Sequence, residues 1–155
     1  MRFIIYVFML SYSSISFGVD IASCSNPQGK AYYYEYGLVS KKDSGWVDDE
    51  KISSGITKLT KTGENTYDIL FVDTRNQMIS STEDGGKVLM VSGGKNIASF
   101  IIIYPGATTE IYTFLKNNSG VNEYIHITSR GSDAMLINKA SLMRGECDYI
   151  NFDKL

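Results

Sequence analysis

Proline is scarce in this chain, and so is charge of a single sign. Only two prolines occur in 155 residues, so little prevents long hydrogen-bonded strands, which proline interrupts. Fifteen basic residues against seventeen acidic ones give a net charge of −2 with no basic tract. Nothing in that balance attracts a nucleic acid or an anionic membrane surface. The single histidine, His126, leaves too few ligands for a transition-metal site, and no cofactor is expected. Uninterrupted apolar residues at the start run only from Phe3 to Leu10, whereas a membrane-crossing helix takes about 20. Catalytic motifs are equally thin. Ser92-Gly93-Gly94-Lys95 and Lys61-Thr62-Gly63 match fragments of penicillin-recognising enzymes, but in reversed order and with a glycine turn where a helix should open. Gly85-Gly86-Lys87 and Gly94-Lys95 lack the spacing of a phosphate loop.

The start of the chain points to export. Met1-Arg2, the apolar segment and a Ser-rich stretch to Gly18 have the three parts of a secretory signal peptide, residues 1–18. Small residues at Ser16 and Gly18 place the cut before Val19; Ser14 and Ser16 offer an alternative. Ile21-Ala22-Ser23-Cys24 also looks like a lipobox, which would anchor a lipoprotein through Cys24. Asp20, so close to the apolar segment, and the stranding of Cys147 argue against it. The expected location is periplasmic or secreted, with no membrane span after cleavage. Residues 19–155, about 137 in all, then form one domain. In an oxidising compartment Cys24 and Cys147 are expected to pair.

The rest of the chain shows short apolar runs between turn residues rather than a helical period. Strands are predicted over Lys30–Val39, Ile52–Lys61, Thr66–Asp73, Gln77–Ser81, Lys87–Ser92, Ile97–Tyr104, Thr109–Lys116, Asn122–Ser129 and Ala134–Met143. The connecting Gly- and Asn-rich segments are too short for parallel returns. The expected fold is therefore all-β, an antiparallel meander of eight or nine strands curled into a closed barrel, with a β-sandwich as the alternative. An outer-membrane barrel fits poorly, because several strands are short and Glu35, Glu110 and Glu123 break an apolar face.

Candidate functional residues are few. Tyr32, Tyr34 and Tyr36 would share one strand face, and with Trp46 they form the candidate ligand- or partner-binding set. Tyrosine is also simply a good strand former. His126 is expected on a surface or lumen wall without a chemical role, and Asp48-Asp49-Glu50 in a solvated loop. Cys24, Tyr32-Tyr33-Tyr34, Gly45-Trp46, Asp49, Ile52-Ser53-x-Gly55, Glu110-x-Tyr112-x-Phe114 and Cys147 together resemble a group of small exported bacterial proteins of unknown function. That resemblance implies export and carries no activity, cofactor or site. Three functions follow as expectations: a non-enzymatic protein binding a small ligand, which is favoured; a protein–protein module such as an inhibitor or immunity protein; and a small hydrolase using unidentified carboxylates.

Overall fold

The computed structural model describes residues 18–52, 55–72 and 75–155; the expected leader, apart from Gly18, lies outside the described residues. The chain is all-β. Its strands are β1 (Val19–Tyr33), β2 (Gly45–Lys51), β3 (Ile56–Gly63), β4 (Thr66–Val72), β5 (Met78–Ser80), β6 (Lys87–Gly93), β7 (Ile97–Tyr104), β8 (Thr108–Lys116), β9 (Asn122–Arg130) and β10 (Lys139–Ile150). Every pairing is antiparallel, and the order runs β5-β4-β3-β1-β10-β9-β8-β7-β6, with β2 on β1. The result is the expected antiparallel meander, barrel-like in the form of a strongly curled half-barrel, in which β4 and β6, near the two edges of the sheet, come close together.

First and last strands are neighbours, and the Cys24–Cys147 disulfide joins directly paired residues of β1 and β10. β1 is longer than predicted because it serves two partners in turn. Its first part pairs with β3 through Ser25↔Ile56, and its last part with β2 from Gln28↔Lys51 onward. The change falls at Asn26-Pro27. Asn26 adopts a φ of 51°, which asparagine tolerates, and Asn26 N–H donates to the Gly55 carbonyl. Pro27, with no N–H to offer a ladder, fits at such a bulge.

Three expectations are corrected. The strand expected over Lys30–Val39 ends at Tyr33, because Tyr36 N–H turns back to the Tyr34 carbonyl and Gly37 takes a φ of 63°. Tyr34, Tyr36 and Leu38 therefore lie beyond the strand and share no strand face with Tyr32. Asp48-Asp49-Glu50 lies within β2, not in a loop. The last strand is Lys139–Ile150 rather than Ala134–Met143. Residues 131–138 form a loop tied down by buried Asn138, whose Oδ1 accepts from Ser132 N–H at 2.8 Å.

Cross-strand register sorts the side chains into an inner and an outer set, since directly paired residues share a face. Phe114, Tyr124 and Gly145 form one inner row across β8, β9 and β10. The Tyr124 ring lies over Gly145, where an added Cβ would stand 2.4 Å from Cε1. Phe100, Tyr67, Leu59, Ile69 and Ile21 pack against this row as the buried core. At 25 cal/mol per Å², burying each such side chain is worth roughly 1.5–3 kcal/mol. On the outer face Leu89, Ile101, Ile111, Ile127 and Leu142 are paired in succession across five strands. Among the described residues no helix is long and apolar enough to cross a membrane.

Candidate functional site: a polar trough at one end of the half-barrel

Moving along β8, β9 and β10 away from the aromatic core, the inner rows become polar. Tyr112, His126 and Met143 form the next row, then Glu110, Thr128 and Ser141, then Thr108, Arg130 and Lys139. β9 alternates along its length: Tyr124, His126 and Thr128 share the inner face, while Ile125 and Ile127 turn outward. One end of the half-barrel is thus filled by rings. The other is lined by hydroxyls, a carboxylate, an imidazole and cations.

His126 stacks on Tyr112 with centroids 4.2 Å apart and planes at 13°. Its Nε2 lies 3.0 Å from Thr128 Oγ1 and 3.5 Å from Glu110 Oε2. The Tyr112 hydroxyl donates to the same Glu110 oxygen at 2.9 Å. Burial alone would push the Glu110 carboxyl up, but His126, Tyr112 and the Arg130 charge together hold it below the usual glutamate range. Burial, then the Glu110 charge, pushes the Tyr112 hydroxyl well above the usual tyrosine range, so it stays a donor. At the far end Lys139 pairs with Glu50 of β2, and the Tyr33 hydroxyl donates to Glu50 Oε2 at 3.0 Å. Gly29 of β1 sits opposite Met143, and a Cβ there would meet the Leu142 carbonyl oxygen at 2.0 Å. Only glycine lets β1 and β10 approach this closely beneath the trough.

Three cavities, of about 450, 130 and 680 Å³, open along this polar end. Glu110 and Phe71 line all three, so they are lobes of one trough. In the largest, Ile52, Phe71, Val72 and Met143 supply apolar wall, while Lys51, Arg130 and Lys139 supply positive charge. Two buried polar atoms among the described residues have no hydrogen-bond partner, Arg130 Nε and Ser141 Oγ, and both residues line this lobe.

A nucleophile–base–orienter relay uses both ring nitrogens of the histidine, yet Thr128 and Glu110 converge on the same Nε2. Asp84 and Glu110 both border the 450 Å³ lobe; the lowered pKa of Glu110 suits an ionised carboxylate rather than a general acid. Among the described residues no three His, Cys, Asp or Glu side chains gather to hold a metal ion.

The aromatic set from the sequence sits elsewhere. Tyr32 and Trp46 are paired on the outer face, with ring centroids 5.4 Å apart, and Trp46 is 73% exposed. Tyr34 lies 5.8 Å from Tyr32, and the Tyr36 hydroxyl donates to Asp133 at 2.9 Å. The structure brings Tyr32, Tyr34 and Trp46 into one patch and leaves Tyr36 in the neighbouring loop. The trough residues Glu110, Arg130 and Ser141 were not among the sequence candidates. Alternation in β8, β9 and β10 was a usable signal, since glutamate, arginine and serine recur in phase with buried aromatics. No protein-family model, curated protein or solved structure matches this chain.

Proposed function

We propose that this protein is an exported, non-enzymatic binding protein that takes a small molecule into the trough. The observation that carries the reading is the division of the interior, with rings packing one end and a continuous polar trough opening at the other. Binding sites are concave and set convergent polar groups beside apolar wall, and the 680 Å³ lobe combines the two, with polar side chains in the majority. Export is supported by the signal-like start, by the resemblance to small exported bacterial proteins, and by a disulfide that an oxidising compartment preserves. Secretion or periplasmic release fits better than lipidation, because the Cys24 sulfur is already bonded to Cys147. The test is native mass spectrometry of protein recovered from the periplasm or medium. It should reveal a small-molecule adduct, absent from a Ser141→Trp variant that fills the trough floor. Protein that carries no adduct and takes up no member of a broad fragment library would refute the reading.

A second reading, a module that docks on another protein, is favoured by a separate observation. The Tyr32–Trp46 pair adjoins the outer apolar row that ends at Leu142, itself 55% exposed. Exposed aromatics beside apolar surface mark many protein interfaces. Trp46→Ala would weaken a protein partner and leave a trough ligand untouched.

A further inference from the structure

We infer that the ligand is a small organic acid whose carboxylate is gripped between the Arg130 guanidinium and the Ser141 hydroxyl. The inference rests on the trough reading above and names the ligand's chemical class. Ser141 is 6% exposed, and its Oγ has no partner. Its cross-strand neighbours do not supply one: Ala31 has only a methyl, and Thr128 Oγ1 lies against His126 instead. Arg130 stands between Thr108 and Lys139, and Lys139 is committed to Glu50. Arg130 and Ser141 are diagonal neighbours on adjacent strands, close enough for a long side chain to share a ligand with its neighbour.

Arg130 Nε–H can only donate, and the Ser141 hydroxyl can donate as well as accept, so one acceptor can serve both. A buried donor without a partner is costly, and a carboxylate satisfies two donors at once through the guanidinium's fixed fork and the hydroxyl. An ammonium ligand could donate to the Ser141 oxygen but would leave the Arg130 N–H without an acceptor and set a cation beside the guanidinium. The electrostatics agree. Lys139 is offset by Glu50, which leaves Lys51 and Arg130 facing the lobe against Glu110, and Glu110 also accepts from Tyr112. The opposite wall of Ile52, Phe71 and Val72 calls for an apolar body on the acid rather than a bare oxyanion.

The probes are hexanoate, hexanamide, hexylammonium and inorganic phosphate, titrated into the full exported protein. The readout is the NMR resonances of the Arg130 side chain and the Ser141 amide. Hexanoate should bind saturably, and the other three about tenfold more weakly or not at all. Arg130→Gln and Ser141→Ala should each weaken hexanoate about tenfold or more, as expected for hydrogen bonds to a charged group. Ser141→Ala swaps an unpartnered hydroxyl for hydrogen, so the fold survives the test. Equal binding of the amide, the amine or phosphate overturns the inference, as do variants that bind hexanoate normally. Absence of binding by all four also overturns it. The trough reading itself falls only if a broad library of neutral and cationic fragments fails as well.

Discussion

Breaking the Cys24–Cys147 bond by the double substitution Cys24→Ala/Cys147→Ala should weaken the fold more than any other two-atom change. The bond closes a loop with a sequence separation of 123 residues. Its absence frees the unfolded chain, and for a loop of that length the entropic gain of the unfolded state is about 5 kcal/mol at 25 °C. Net stabilities of single domains are about 5–15 kcal/mol, so this is a large share of the total. The folded side loses little, because the β1–β10 ladder continues beyond the bond to Tyr33↔Lys139. With urea m-values of about 1–3 kcal/mol/M, the unfolding midpoint should fall by roughly 2–5 M. Equilibrium urea unfolding followed by circular dichroism, with reduced wild-type protein as a control, measures it. A shift below about 0.5 M would refute the claim that the clasp holds the ends of the chain together, since at these m-values it amounts to about 1 kcal/mol.

Glu110 gives a pH signature. Its carboxyl is held below the unfolded-state value, so the ionised form contributes stability above the unfolded pKa of about 4.3, and that contribution disappears as pH falls through the folded pKa. Thermal melts should therefore show an acid-side loss that Glu110→Gln diminishes, at a cost near neutral pH of about 1–3 kcal/mol; an unchanged acid limb contradicts the stabilised Glu110 carboxylate. Gly29→Ala forces a methyl against the Leu142 carbonyl and should destabilise by about 1–3 kcal/mol or more, whereas the same change at Gly85, where an added Cβ meets nothing within 4 Å, does no such packing damage despite its φ of 91°. Urea midpoints of the two variants compare them directly. Tyr124→Phe removes the hydroxyl that lies 3.3 Å from Thr57 Oγ1 and should cost about 0.5–1.5 kcal/mol, read from the same unfolding curves.

Much of the fold was legible because the strands from Lys87 to Arg130 are short apolar runs separated by glycine- and asparagine-rich turns. β7 was read to the residue at Ile97–Tyr104. β2 was not legible. An Asp-Asp-Glu run looks solvated, and the outward Asp48 is, in an ion pair with Lys30 at 2.9 Å; Glu50 turns inward to Lys139 only because β2 docks on β1. The early part of β1 was hidden by Asn26-Pro27, which reads as a break in sequence and proves to be a bulge between two ladders. Met135-Leu136-Ile137 suggested a strand, yet Leu136 is 68% exposed in a loop. The trough could not be read directly, because Arg130 and Ser141 meet only through the β9–β10 register, which the 131–138 loop sets.

The most direct test of the account is a fragment screen on isotope-labelled protein, with the shifted resonances mapped onto the structure. The account predicts saturable shifts clustered at Glu110, His126, Thr128, Arg130 and Ser141, with the Tyr32–Trp46 patch silent. Shifts confined to Trp46 and Tyr32, or none anywhere, would contradict it.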